Sequence, residues 1–134
     1  MDKNKILIVD DEQDVLSVLE EGLGEQGYSV IATDNGEDGL ALAKSERPNV
    51  ILLDVLMPGM YGGVVATRLK EIPETKNIPI IFLSCLYSKK EDVEKDYMLR
   101  DGVYVSKPYK IEELVTKIKK LIREEKTLHE RAFV

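Results

Sequence analysis

The chain has 134 residues, 43% hydrophobic and 33% charged, with a net charge of −6. That length suits one domain with a real core and is too short for two, and the acidic balance argues against sequence-independent nucleic-acid binding, which needs a basic stripe. No apolar stretch approaches the ~20 residues of a membrane span, and Cys85, the single cysteine, rules out an internal disulfide. Met1-Asp2-Lys3-Asn4-Lys5 carries no signal-peptide pattern, so a cytoplasmic location without membrane contact is expected.

Taken in chain order, strand and helix patterns alternate five times. Ile6–Val9 is a continuous apolar run, as in a strand covered on both faces, and it stops at Asp10-Asp11. A helix follows over about Gln13–Gln26, with Val15, Leu16, Leu19 and Leu23 at helical spacing and Gly27 as its stop. Ser29–Thr33 reads as the second strand, and Asp34-Asn35-Gly36 is turn chemistry. The second helix covers Glu37–Ser45, with Leu40, Ala41 and Ala43 expected on its inner face.

Pro48 breaks the chain before the third strand, Val50–Leu53, which runs into Asp54. The loop Met57–Gly63 is rich in Pro and Gly, and a third helix is expected over Gly63–Glu71. Pro79 precedes the fourth strand, Ile80–Leu83, which runs into Ser84. A mostly charged fourth helix is expected over Lys89–Leu99, where Tyr97 either packs on the core with Val93 or faces a partner. Val103–Val105 is the fifth strand, followed by Ser106-Lys107-Pro108. From Ile111 a fifth helix carries an amphipathic stripe of Ile111, Leu114, Val115, Ile118, Leu121 and Ile122. Beyond Arg123 the stripe thins.

Five β/α units with short connections predict an α/β fold, a doubly wound five-stranded parallel sheet in the flavodoxin-like order 2-1-3-4-5. Ligands of such sheets bind beyond the carboxyl ends of the strands. Asp10, Asp11, Asp54, Ser84 and Lys107 all fall there. Taken singly, each has an ordinary reading. An Asp pair can serve a helix N-terminus, an Asp before Pro-Gly a turn, and a Ser after a strand its own backbone. Their joint placement at four strand ends points to one site. Three ionised carboxylates and one ammonium leave two negative charges, which a divalent cation balances. Oxygen ligands without His or Cys favour Mg²⁺, a metal that commonly pairs carboxylates with a phosphate. A carboxylate can also be the nucleophile of phosphoryl transfer. Asp54, alone at the end of the central strand, is the candidate phosphoacceptor.

The segments Ile6-Leu7-Ile8-Val9-Asp10-Asp11-Glu12, Leu52-Leu53-Asp54-Val55-Leu56-Met57-Pro58, Phe82-Leu83-Ser84 and Tyr104-Val105-Ser106-Lys107-Pro108 resemble the receiver domain of two-component response regulators, over about Lys5–Arg123. The resemblance implies that Asp54 accepts phosphate from a phosphohistidine on a sensor histidine kinase or phosphotransfer protein. It implies Mg²⁺ held by Asp10, Asp11, Asp54 and the backbone carbonyl of Leu56. It further implies that Lys107 contacts the phosphoryl group, that the Lys107–Pro108 bond is cis, and that Ser84 and Tyr104 move as a switch that remodels the face of the fourth helix, fifth strand and fifth helix. That face would meet an output domain or target protein, or a second copy as a homodimer. On this resemblance, residues 1–123 are expected to form the receiver domain, and 124–134 a helical extension, linker or tail.

Tyr61 stands where the family usually has Asp, and Gly63 where a larger apolar residue is common. Arg100-Asp101 replaces a frequent Gly-Ala before the fifth strand. Leu56 and Leu86 are apolar at the two positions whose side chains flank the hydrolytic water in the family, so the resemblance leads to an expectation of slow self-dephosphorylation. Such a protein catalyses its own phosphorylation and dephosphorylation but turns over no metabolite. Two alternatives are a Mg²⁺-dependent aspartyl-nucleophile phosphatase and a phosphorylation-independent interaction module. Leu56 weighs against the first, because such phosphatases usually place a second Asp there. The retained Asp10, Asp11, Asp54 and Lys107 weigh against the second.

Overall fold

A computed structural model describes residues 3–57, 59–84, 103–107 and 109–131. The expected helix Lys89–Leu99, Cys85, Leu86 and the Lys107–Pro108 bond lie outside the described residues. The elements are β1 (Lys5–Val9), α1 (Gln13–Glu25), β2 (Ser29–Thr33), α2 (Gly36–Glu46), β3 (Val50–Asp54), α3 (Gly62–Glu71), β4 (Ile80–Ser84), β5 (Val103–Ser106) and α4 (Ile111–Arg131), the last being the final helix expected from the sequence. The strands pair in parallel in the order β2-β1-β3-β4-β5, the flavodoxin-like arrangement.

The apolar runs explain why the sheet is buried on both sides. Successive side chains of a strand point to opposite faces, and here both faces carry core. Ile6, Ile8, Val50, Leu52, Ile81, Leu83 and Val105 pack with Leu16, Leu19 and Leu23 of α1 and Leu114, Val115 and Ile118 of α4. The alternate residues Leu7, Val9, Ile51, Leu53 and Phe82 pack with Ala43 of α2 and Val65, Ala66 and Leu69 of α3. Each fully buried Leu or Ile contributes roughly 1.5–3 kcal/mol relative to exposure.

Local chemistry sets the helix ends. At the end of α1 the Gly27 amide donates to Gly24 O at 3.0 Å and the Tyr28 amide to Leu23 O at 3.2 Å. This is the paired closure that needs a left-handed residue just past the helix, and Gly27 has φ 93°. α2 is capped by Asn35, whose side-chain oxygen accepts from the Asp38 amide at 2.9 Å. It buries Gly36, Gly39 and Ala43. Ala41, expected on the inner face, is exposed. The spacing allowed either assignment because alanine is indifferent to burial, and the close glycine contacts decide which face turns inward.

Candidate functional site at the carboxyl ends of the strands

The register of the sheet assembles the site. β1 and β3 pair Ile8 with Leu52 and Val9 with Leu53, so Asp10 falls beside Asp54 on the sheet face covered by α1 and α4. The Asp10 amide is held by the Thr33 carbonyl at the end of β2, at 3.2 Å. β4 brings Leu83 opposite Asp54, and β5 pairs Ser106 with Ser84, which delivers Lys107 to the same rim. Strand ends far apart in sequence therefore converge because each apolar run stops at the same level.

Burial and charge are in conflict here. Asp10 is 0% exposed and Asp54 4%. The Lys107 ammonium donates to Asp10 Oδ2 at 3.0 Å and lies 3.7 Å from both Asp54 Oδ1 and Glu12 Oε1. Asp10 Oδ1 accepts from the Glu12 amide at 3.0 Å, so both oxygens of the buried carboxylate are partnered. Burial and the charge of Asp10 push the Asp54 carboxyl up to about 7; Lys107 offsets part of this, a hydrogen bond with Asp11 raises it further and the Leu56 amide lowers it. Burial works against the charged Lys107, yet the hydrogen bond and charge of Asp10, with Asp54 and Glu12 behind, hold its pKa above the usual value. Burial, with the surrounding carboxylates, also lifts the Tyr109 phenol to about 12 against the opposing pull of Lys107.

The charge balance tests whether the site suits a metal. One ammonium faces three carboxylates, those of Asp10, Glu12 and Asp54, and leaves negative charge in surplus. Asp10, Asp11 and Glu12 each bring a carboxylate oxygen within 4.8 Å of the others. An all-oxygen donor set with surplus negative charge fits a hard divalent cation such as Mg²⁺.

Of the residues singled out from the sequence, Asp10, Asp11, Asp54 and Lys107 meet at this rim, with the Leu56 backbone near enough to Asp54 to lower its pKa. The backbone of Ser84 lies at the same level through its pairing with Ser106. Tyr104 is half-buried against the α2/α3 side of the core. Sequence reasoning missed Glu12, which faces Lys107, and Tyr109. Glu12 was visible only as the third acid of an Asp-Asp-Glu run, and Tyr109 carried no signal beyond following Lys107-Pro108.

Comparison with known proteins agrees with this geometry. Residues 6–119 match the family described as "Response regulator receiver domain". The chain is 36% identical over 116 residues to Protein PilH of Pseudomonas aeruginosa, covering 85% of this chain and 93% of that one. It is 34% identical over 123 residues to the "Probable transcriptional regulator ycf27" of Porphyridium aerugineum, covering 92% of this chain and spanning half the length of that relative. The structure of the chemotaxis protein CheY4 of Vibrio cholerae superposes with a TM-score of 0.81 at 26% identity, covering 90% of this chain and 99% of that one. By sequence and by fold, the chain belongs to the receiver domain family of response regulators.

Proposed function

We propose that the protein is a phosphorylation-controlled switch in which Asp54 accepts a phosphoryl group from the phosphohistidine of a sensor histidine kinase or phosphotransfer protein. The observation that carries this reading is the Lys107 ammonium poised between two nearly inaccessible carboxylates, Asp10 and Asp54. A purely structural ion pair needs one acid; the second, pushed up to about 7 by burial and by Asp10, supports a functional reading of the group. An oxygen of Asp54 attacks phosphorus, the P–N bond to the donor imidazole breaks, and the ring nitrogen keeps the electron pair and takes up a proton. Such transfer depends mainly on positioning and on neutralising charge. Lys107 would meet the incoming phosphoryl oxygens, and the nearby Leu56 backbone favours the ionised form of the acceptor carboxyl.

Asp10, Asp11, Asp54 and the Leu56 carbonyl would hold Mg²⁺, which supplies neutralisation of the phosphoryl charge. Phosphorylation adds roughly −1.5 to −2 charges. In this reading Ser84 and Tyr104 register that change and pass it to the face of β5 and α4, where an output domain, a target or a second copy docks. Such couplings are typically ~1–3 kcal/mol. The receiver unit is assigned to residues 1–123, with 124–134 as its extension, in a cytoplasmic protein.

Intact-mass measurement after treatment with acetyl phosphate and Mg²⁺ tests the proposal. An adduct of about 80 Da is expected for one added phosphoryl group, absent when Asp54 is replaced by Asn. No adduct, or one that survives Asp54→Asn, overturns the reading.

A further inference from the structure

Gly62 opens α3 where the loop from β3 returns to the strand it left. Its amide donates to the Val55 carbonyl oxygen at 2.8 Å, which closes the segment Val55–Gly62 on itself. The segment is pinned from inside by Val55, 4% exposed, and Met57, 1% exposed. It also contains Leu56, whose backbone lies close enough to the Asp54 carboxyl to lower its pKa.

Gly62 is buried, and its φ is not among the left-handed ones, which belong to Gly27, Gly59 and Arg47. Conformational freedom is therefore not what the position requires. Space is. A Cβ at Gly62 would collide with the Asp54 carbonyl oxygen and would lie 2.9 Å from Val55 Cα and 3.1 Å from the Asp54 carbonyl carbon. All three are main-chain atoms, which cannot swing aside as the end of a side chain can. Gly39 is the contrast. A Cβ there meets only the side chain of Val9, at 2.9 and 3.2 Å from its methyl carbons, and a rotamer change can relieve it.

We propose that Gly62 is a positioning residue for the phosphoacceptor site. Its missing side chain lets α3 press on the Asp54–Val55 main chain. That contact fixes where the Leu56 main chain lies beside the Asp54 carboxylate, and so where its carbonyl would meet a bound Mg²⁺. The inference rests on the reading of Asp54, Asp10 and Asp11 as the Mg²⁺-dependent site. Mg²⁺ demands near-ideal octahedral geometry, and sites of this kind tolerate displacements of only about 0.5 Å. Relieving the clash by shifting the Asp54–Val55 peptide spends that tolerance.

The test measures Mg²⁺ affinity of the metal-stripped full chain from amide shifts or calorimetry, beside its metal-free stability in urea. Wild type, Gly62→Ala and Gly39→Ala are compared. Both variants are expected to lose stability, but only Gly62→Ala should lose affinity, by about tenfold or more, as supporting residues around a metal typically do. Wild-type affinity in Gly62→Ala, or an equal loss in Gly39→Ala, overturns the proposal. Wild type without Mg²⁺ affinity overturns the site assignment itself, and this inference with it. Should Gly62→Ala not fold, amide exchange in metal-free wild type decides. The Gly62 amide is expected to be protected about as well as the core of α3, and exchange at the rate of an open loop overturns the proposal.

Discussion

The Lys107 ammonium stands 3.0 Å from Asp10 Oδ2, closer than to any other carboxylate it meets. Asp10 is wholly inaccessible and Lys107 partly buried, with a side chain 16% exposed. Removing the cation leaves a buried anion among other anions. Lys107→Met should therefore destabilise the metal-free chain by about 2–4 kcal/mol at pH 8, measured by urea unfolding. The loss should shrink with saturating Mg²⁺. A variant as stable as wild type without metal would show that the pair carries no weight.

Asp54 should make stability fall as pH rises. Its carboxyl is raised from 3.8 to about 7, first by burial and then by Asp10. Between those values the folded chain holds a proton that the unfolded chain has released, so its stability declines across this window and levels off above it. Asp54→Asn should remove most of the decline, leaving the variant more stable than wild type at pH 8 and little changed at pH 4. Urea midpoints at both values check this. Mg²⁺ should restore wild type, by about 2.7 kcal/mol at a concentration 100 times its Kd.

The lifetime of the phosphorylated state should depend on Leu56. Its side chain is 40% exposed and apolar, unable to orient a water. Leu56→Asn should accelerate loss of phosphate roughly tenfold or more, by the logic of positioned general acid–base groups. Decay of the phosphorylated mass at fixed Mg²⁺ provides the measurement, and an unchanged rate would sink the expectation.

Arg47 ends α2 in the left-handed conformation, with φ 46° and ψ 63°, while its amide still bonds Ala43 O at 3.1 Å. A side chain there costs about 1–2 kcal/mol of local strain. Glycine removes the strain but loses more backbone entropy on folding. Arg47→Gly should thus gain about 0.5–1 kcal/mol in thermal unfolding without altering Mg²⁺ affinity, because the turn lies at the far end of β3 from Asp54.

Much of this was legible beforehand, for identifiable reasons. Ile6–Val9 and Val50–Leu53 are apolar at every position, so they had to be strands with cover on both sides, and the acids that end them had to share a rim. Local pattern could not separate Gly62 from Gly63, since two adjacent glycines look alike until a third segment packs against one of them. Nor could it show that Glu12 reaches Lys107 across 95 positions of sequence, because an exposed acid at a helix start has an ordinary use as a helix-dipole partner. Ala41 pointed outward where the pattern allowed either direction.

The pairing of Ile8 with Leu52 carries a constraint on how this chain can vary. Side chains alternate along a strand, so a slip of β1 against β3 by one residue would turn Asp10 toward the layer under α2 and leave Lys107 facing Asp54 alone. Adding or deleting a single residue inside either run would break the chemistry before it unfolded the sheet. The greasy, chemically inert segments thus act as the ruler for the polar ones, and insertions that spare the site belong in the connecting loops.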